Sequence, residues 1–457
     1  MKTTGGASSQ PASIPLALLE QRSVLPLWLS QSFSLLAQYA LLFTLLVLVV
    51  EITGSGVYTS LLILSFVIPS LTIGLLVGVL VDRWGKATVM VSASVIRAAA
   101  CLFLFFFHES VWLIYAVNLV FATANQFFNP AVAAYIPSLV PRERLMEANS
   151  LYNLTLTGAQ FLGMVFLAPL FIKTTGEEGM FLLAAVLFVL AAVAAFRLHR
   201  AQGEQRAPAS NGTMPRLMEE VRQSWQVLKR DVAAAFAMLH LILGSTLVLL
   251  FAILVPIYMN DIIEVAPDNA AFVFAPVGVG AIIGLRSLRW FSARWAKIEI
   301  VIIGLAGLAA SLIALSLVEQ IADALRQTEI LDPDRLGGIS LLVALTMMFS
   351  GPIGFFYALL NAPAQTILHE RAPAEMRGRL FASQIALANA ISLAPILLVG
   401  GIADLVGVSW VLVLVAMVLL GIAAISFWWH NQNGLDECPP ANDSVDPVAG
   451  GSSPHGP

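Results

Sequence analysis

The feature that most constrains the fold of this chain is a series of apolar runs, each close to 20 residues long. A helix of about 20 residues spans the hydrocarbon core of a bilayer, because each residue adds about 1.5 Å. Only 11% of the residues are charged, whereas ordinary soluble domains carry about 25%. The sequence therefore predicts an all-α polytopic membrane protein with twelve transmembrane helices, at residues 24–50, 57–81, 87–107, 111–137, 149–172, 180–198, 233–260, 270–291, 298–318, 339–368, 378–403 and 408–430.

The positions of the basic residues orient these helices. Membrane proteins carry an excess of lysine and arginine in their cytoplasmic loops. With the amino terminus inside, twelve helices place all but three of the 24 basic residues on the cytoplasmic side, the exceptions being Lys173, Arg326 and Arg335. Adding or removing one helix would destroy this asymmetry. The sequence thus predicts a multi-pass protein of the cell (inner or plasma) membrane with both termini in the cytoplasm.

Polar stretches divide the chain into two sets of six helices. The predicted units are a disordered tail at 1–22, a six-helix bundle at 23–198, a cytoplasmic linker at 199–231, a second six-helix bundle at 232–430 and a disordered tail at 431–457. The first residues lack the charged and short apolar regions of a signal peptide. In the linker, apolar residues at helical spacing predict an amphipathic helix that lies in the membrane interface or packs on the loops: Leu217, Val221, Trp225 and Leu228.

A weak internal repeat relates the two sets. Three residues near the inner end of the fourth predicted helix recur 232 positions later, near the same end of the tenth: Asn129, Pro141 and Glu143 match Asn361, Pro373 and Glu375. The same shift superposes the two six-helix sets. The pattern favours two parallel-repeat halves.

Motifs of soluble catalysis are absent from the sequence. It contains no GxxxxGK[ST] loop, no HExxH, no GxSxG and no cluster of histidine and acidic residues at metal-ligand spacing. The two cysteines do not make a disulfide framework. We therefore expect no enzyme activity, no cofactor, no metal and no nucleic-acid partner, and we do not expect this chain alone to use ATP.

Polar residues within the membrane helices are better guides to function, because hydrocarbon penalises them. Gln38, Arg97 and Asn125 fall at similar depth on the first, third and fourth predicted helices. No carboxylate of that half lies at this depth, so amides or carbonyls are the expected partners of Arg97. We favour a structural polar network around Arg97 over direct contact with a substrate.

A tight basic hairpin, GLLVGVLVDRWGK at residues 74–86, joins the second and third predicted helices. Its residues Gly78, Asp82, Arg83, Gly85 and Lys86 resemble the loop signature of major facilitator superfamily transporters. The resemblance implies two six-helix bundles that move about a central cavity. It also implies that Asp82 latches the inner ends of the two halves by meeting the start of the eleventh helix. There, backbone amides and Arg377 or Arg379 are the expected partners.

The loop after the fourth predicted helix carries a more specific family signature than the hairpin does. It resembles the I-P-x-L-V-x-x-E-x-L-x-x-A-N pattern of the branch that contains macrolide efflux and enterobactin exporter-like proteins. The matching residues are Ile136, Pro137, Leu139, Val140, Glu143, Leu145, Ala148 and Asn149. This resemblance implies an inner-membrane exporter that works by alternating access, usually by proton antiport.

In the superfamily's layout the first, fourth, seventh and tenth helices line the cavity. Applied to this chain, the layout predicts a mostly apolar pocket with eight neutral polar side chains: Gln31, Gln38, Asn125, Gln126, Asn129, His240, Tyr357 and Asn361. Gln384 and Asn389 are placed at the seam between the halves. The alternative for each residue is an interhelical hydrogen bond, worth about 1 kcal/mol.

His240 titrates near neutral pH when unperturbed and is one candidate for proton coupling. Glu51, Asp261 and Asp404 are others, although solvated acids also occur at helix ends.

These features predict a monomeric secondary active exporter of an amphipathic or lipophilic small molecule, such as a drug, a macrolide or a siderophore-like compound. A transporter of lysophospholipids or lipid-like solutes is an alternative, and a non-transporting membrane sensor or scaffold on the same fold is an alternative of another class. The sequence does not name the substrate, the coupling ion or its stoichiometry.

Overall fold

The computed structural model describes residues 24–433 except 74–76, 78–79, 82–83, 142–143, 145–147, 149–150, 153–154, 157, 161, 203–230, 267–268, 328–339 and 372–376. Residues 1–22 and 434–457 of the predicted tails and residues 203–230 of the predicted linker lie outside the described residues, whereas 431–433 end α12 and 199–202 end α5. Within the described part the chain is helical and contains no β-strand. We call the membrane face that holds Leu25 the inner face and the face that holds Thr53 the outer face.

Twelve α-helices and two π-helical turns make up the described chain. They are α1 (Leu25–Thr53), α2 (Gly56–Thr72), α3 (Lys86–Phe106), α4 (Val111–Leu139), a π-helix (Leu162–Leu167), α5 (Ala168–Gln202), α6 (Val232–Tyr258) continued by a π-helix (Met259–Ile263), α7 (Ala270–Ser292), α8 (Lys297–Ser316), α9 (Val318–Gln327), α10 (Leu341–Arg371), α11 (Arg377–Val406) and α12 (Val408–Asn433).

These twelve are not the twelve spans expected from the sequence. Ten helices in the described part are long and apolar enough to cross a membrane, and Gly56–Ser70 is a shorter apolar helix. Helix α5 contains the end of the predicted span 149–172 and all of the predicted span 180–198, and Gly176 between them, with φ of 74°, breaks the helix. The all-α polytopic membrane fold is confirmed, whereas the count of twelve spans stays a prediction.

Helix α9 is a feature that the sequence analysis missed. It is short and amphipathic, with Val318 and Ala322 buried and Glu319, Asp323 and Arg326 on its polar side. A run of about 20 apolar residues identifies a helix that crosses the membrane. Helix α9 is shorter and lies between two such helices, so this pattern does not reveal it.

Close helix packing in the second half depends on glycine. A methyl group on Gly280 of α7 would overlap the carbonyl oxygen of Gly351 on α10, and one on Gly354 would overlap that of Val277. Small residues let membrane helices approach until their backbones touch. This pair of helices therefore forms one rigid wall of the second half.

Two helices near the inner face begin with a lysine that contacts another helix. Lys86 begins α3, and its Nζ donates a hydrogen bond of 2.7 Å to the carbonyl oxygen of Ala134 on α4. Lys297 begins α8, and its Nζ pairs at 2.6 Å with Glu370 at the end of α10. Each lysine ties the start of one helix to a later helix. The two lysines are not related by the 232-residue shift of the sequence repeat, so that repeat stays a prediction.

Candidate substrate cavity and gates

The exposure of α1 changes along its length. From Leu25 to Tyr39 a stripe of side chains is partly exposed at intervals of three or four residues, whereas every residue from Ala40 to Val50 is buried. One face of a helix repeats at this interval. The inner half of α1 is therefore less enclosed by its neighbours than the outer half, although at Leu36 and Tyr39 it lies against Gly163 of the first π-helix.

Three polar side chains are linked along α10. On α10, Asn361 donates from Nδ2 to the Tyr357 hydroxyl at 3.1 Å, and Gln365 donates to Asn361 Oδ1 at 3.0 Å. Tyr152 lines a small cavity together with Gln31 of α1, and Tyr39 of the same helix is half-buried. Tyr39 and Tyr152 are functional candidates that the sequence analysis missed, since an isolated tyrosine in an apolar run gives no signal.

Two glutamines of α1 have buried atoms without a hydrogen bond. Among the described residues, neither Gln31 Nε2 nor Gln38 Oε1 has a partner. Leaving such an atom unpaired costs about 1–3 kcal/mol. Gln31 also borders a cavity of about 30 Å³, enough for one water, together with Trp28 and Tyr152. These atoms are positioned to accept or donate a hydrogen bond once a solute or water reaches them.

The other cavity residues predicted from the sequence differ in how far their side chains are exposed. Gln126 and Asn129 on α4 are half-buried, as are Tyr357 and Asn361. Asn125, in contrast, is buried and bonded to Arg97. A methyl group on Gly244 of α6 would lie 3.4 Å from Asn361 Nδ2, so α6 approaches the polar group of α10 here.

Arg97 lies at the centre of a buried network in the first half. Its Nη1 donates to Ser34 Oγ at 2.8 Å and to Asn125 Oδ1 at 3.3 Å, and its Nε donates to the Ala93 carbonyl at 3.2 Å. The guanidinium stacks between Phe128 and Phe188, 4.3 and 4.7 Å from the ring centroids. Within the described part, all its hydrogen-bond acceptors are neutral. Gln38, also expected as a partner, is not among them.

His240 is completely buried in the second half. Its Nε2 lies 3.1 Å from the Ser426 hydroxyl on α12, and Nδ1 has no hydrogen-bond partner among the described residues. The ring is sealed inside the bundle and is not exposed on a cavity wall. Neither of its expected roles is tested by this geometry, but a proton would reach it only if the packing opened.

At the outer face the two halves are joined through Asp404. Its Oδ1 accepts a 2.7 Å hydrogen bond from the backbone N–H of Gly56, and its Oδ2 accepts 2.6 Å and 3.2 Å bonds from the Ser55 hydroxyl and the Val57 N–H. A methyl group on Gly400 would overlap the Gly56 carbonyl oxygen. Helix α11 of the second half thus lies directly against the start of α2.

A second outer contact joins the halves on the other side. Lys173 donates from Nζ to Asn269 Oδ1 at 3.2 Å and lies 5.6 Å from the ring centroid of Phe272 on α7. Deeper in the membrane, Asn389 of α11 donates to Ser70 Oγ of α2 at 3.2 Å, at the predicted seam. The outer face is therefore bridged at two places, whereas the inner half of α1 carries a partly exposed stripe.

The predicted inner gate is only partly described. Gly78, Asp82 and Arg83 lie outside the described residues, as do the side chains of Arg377 and Arg379. Gly85, with φ of 83°, immediately precedes α3. The remaining candidate acids, Glu51 and Asp261, are exposed, and Asp261 accepts a hydrogen bond from Asn260 at 2.9 Å.

The described chain is a bundle of long apolar helices, ten of which are long enough to cross a membrane. The chain belongs to the major facilitator superfamily, whose family model matches residues 27–395. Within the described part, no group of three or more histidine, cysteine or acidic residues could hold a metal ion.

Similar sequences include efflux proteins. The chain is 31% identical over 125 residues to macrolide efflux protein A of Streptococcus pyogenes, which covers 26% of this chain and 31% of that protein. It thus spans about a third of that relative's length. It is 24% identical to the multidrug efflux pump Tap of Mycolicibacterium fortuitum over 83% of this chain and 89% of the pump. The MFS-type transporter YfiS of Bacillus subtilis is 25% identical over 89% and 93% of the two chains.

Solved structures share the fold at low sequence identity. A transporter of the POT family in complex with 5-aminolevulinic acid aligns with a TM-score of 0.68 and 13% identity, over 90% of this chain and 96% of that one. A bacterial homologue of the human lysosomal transporter Spinster, in an inward-facing and unoccupied conformation, aligns with a TM-score of 0.65 and 12% identity, over 93% and 98%.

Proposed function

We propose that this protein is a secondary active exporter of amphipathic or lipophilic small molecules in the cell membrane, working by alternating access and driven by proton antiport. The observation that carries the proposal is the combination of a partly exposed inner half of α1 with an outer face held together by hydrogen bonds. An exporter in this state takes its solute from the inner face.

The substrate class follows from the chemistry of the cavity residues. The described candidate side chains of α1 and α10 are tyrosines and neutral amides on mostly apolar helices, and two of the amides keep buried unpaired atoms. Such a surface binds a largely apolar solute and orients it through a few hydrogen bonds. The efflux proteins among the similar sequences support the same class.

Alternating access requires contacts that form at one face and break at the other. The bonds of Asp404 and Lys173 hold the outer face, and their rupture accompanies opening to the outside. Asp82, with Arg377 or Arg379 at the start of α11, forms the opposing latch when the inner face closes. The equilibrium between the two states is set by the difference between these two groups of contacts.

Proton coupling needs a group whose protonation differs between the two states. Asp404, Asp261 and Glu51 are exposed near the outer face and accessible to protons from outside. His240 is the buried alternative. Asp404 is the strongest of the four, because protonation of its carboxylate weakens the charge-assisted bonds that bridge the halves.

Transport in proteoliposomes with an imposed pH gradient tests this function. The purified full-length protein is expected to move a lipophilic dye and a macrolide against their gradients, and to stop when an ionophore collapses the pH gradient. A Tyr357→Phe, Gln38→Leu variant is expected to bind these solutes more weakly. If only lysophospholipids move, the protein is a lipid-solute carrier. If no solute moves and no candidate changes tryptophan fluorescence, the transporter proposal fails.

A further inference from the structure

A groove between α7 and α10 lies outside the site described above. It is a shallow, open groove with a volume of about 610 Å³, and nearly all of its lining is apolar. The residues that shape it include Pro276, Val279, Ile283, Met348, Pro352 and Phe355. The close approach at Gly280 and Gly351 forms its floor, so the shape of the groove is fixed by contacts between the two backbones.

The groove opens away from the cavity. On α10, Met348, Pro352 and Phe355 form one stripe at helical spacing, whereas Tyr357 follows Phe355 by two positions and therefore points to the other side. Val279, Ile283 and Met348 are 58%, 54% and 62% exposed. Helices α7 and α10 both contain a span that is apolar enough to cross the membrane. An exposed apolar surface at this depth faces lipid hydrocarbon.

A basic and aromatic cluster continues the groove toward the inner face. Along α7, Val279 and Ile283 are followed on the same side by Arg286 and Trp290, which are both exposed. The Arg294 guanidinium lies 4.2 Å from the Trp290 ring centroid. Phe291, next to Trp290, lies 6.3 Å from the ring of Phe355 in the groove, so the cluster and the groove are continuous.

The charge of this cluster has one sign. No aspartate or glutamate occurs between residues 270 and 298. The same segment contains four basic residues: Arg286, Arg289, Arg294 and Lys297. Lys297 is already paired with Glu370. Tryptophan and arginine near the membrane interface match the level of lipid headgroups, and basic pockets between helices on the cytoplasmic side bind anionic ones.

We propose that this groove and its basic cluster bind one anionic phospholipid of the inner leaflet. An acyl chain lies in the groove between α7 and α10. The phosphate is bound by Arg286 and Arg294, beside the Trp290 ring. The site is independent of the transport cavity, since its lining residues face away from Tyr357 and Asn361.

Native mass spectrometry of the full-length protein, titrated with phosphatidylglycerol or with phosphatidylcholine of the same acyl chains, tests the site. Arg286→Gln and Arg294→Gln are each expected to weaken phosphatidylglycerol binding about fivefold. Phosphatidylcholine binding stays unchanged in both variants and reports that the protein is folded. Arg286→Lys keeps most of the preference for the anionic lipid.

Matched controls separate this site from general surface charge. Arg200 is also exposed near the inner face and lies 5.0 Å from the Phe196 ring, so Arg200→Gln removes a comparable arginine elsewhere. Ile283→Trp fills the groove and is expected to weaken the binding of both lipids. Ile282→Trp is its control, because Ile282 is an exposed neighbour that does not line the groove.

Two outcomes overturn the proposal. One is an Arg286→Gln, Arg294→Gln protein that binds phosphatidylglycerol like the wild type, or that loses no more than Arg200→Gln does. The other is glycerol phosphate, which has no acyl chains, binding as tightly as the lipid, because the groove would then contribute nothing.

Discussion

Asp404 of α11 takes the place of a capping residue for α2, since its Oδ1 accepts a 2.7 Å hydrogen bond from the backbone N–H of Gly56. The first N–H groups of a helix have no partner within the helix. Ser55, at the N-cap position, makes no capping bond and instead donates its hydroxyl to Asp404. A carboxylate at a helix N-terminus is also favoured by the helix dipole. One residue of the second half therefore completes a helix of the first.

Asp404→Asn is expected to favour opening at the outer face. The variant keeps the size of the side chain but loses its charge. The contact between α2 and α11 is therefore expected to be about 1–2 kcal/mol less stable. Spin labels placed on the outer ends of α2 and α11 should report a larger fraction of long distances. Asp261→Asn, which changes an exposed outer acid with no bond to α2 in the described part, should leave the distribution unchanged. A wild-type distribution in Asp404→Asn would remove the latch role.

Gly400→Ala is expected to separate α2 from α11. Its methyl group would overlap the carbonyl oxygen of Gly56, and relieving such an overlap typically costs about 1–3 kcal/mol. The adjacent Gly401→Ala is the control, because a methyl group there meets only the Val57 side chain, at 3.6 Å. Cysteine accessibility at the outer seam should rise in Gly400→Ala alone. Equal changes in both variants would show that general helix effects dominate.

Arg97→Ala is expected to lower stability more than substrate affinity. The change removes hydrogen bonds to Ser34 and Asn125 and leaves a cavity between Phe128 and Phe188, which together cost about 3 kcal/mol or more. Thermal unfolding in detergent and substrate titration measure the two effects separately. Arg200→Ala is a matched exposed control. An affinity defect with unchanged melting temperature would instead assign Arg97 to substrate binding.

Asp82→Asn is expected to impair transport while membrane insertion stays intact. If the inner latch requires the charge of Asp82, its loss slows the closing of the inner face. Transport rates in proteoliposomes, normalised to the amount of inserted protein, measure the effect. Asp323→Asn, on the short outer helix α9, provides the control. Wild-type transport by Asp82→Asn refutes the latch.

His240→Gln is expected to flatten the pH dependence of transport if His240 carries the coupling proton. Ser426→Ala should alter the same profile, because it removes the hydrogen-bond partner of Nε2 while leaving the imidazole in place. Transport is measured across the physiological pH range at a fixed gradient. An unchanged profile in His240→Gln leaves the exposed acids as coupling groups, and Asp404 becomes the first to test.

The sequence was sufficient for the broad architecture because the bilayer imposes a local constraint. A run of about 20 apolar residues is a membrane helix whatever its neighbours are, and the exclusion of charge from such runs can be read directly along the chain. The same reasoning drew attention to Arg97, since an arginine in an apolar run needs internal partners. It also missed α9, which is too short and too polar to be recognised in this way.

The partners of these residues were decided only by the tertiary structure. Nothing in the sequence around Asp404 points to Ser55, 349 residues away, and the stacking of Arg97 between Phe128 and Phe188 depends on how three helices are rotated about their axes. In hydrocarbon, helices gain little from burying apolar surface, so close packing and a few hydrogen bonds select their neighbours. Length and polarity along the chain therefore determined which segments cross the membrane. Helix rotation and glycine-mediated contact determined which side chains meet at the cavity, the outer seam and the lipid-facing groove.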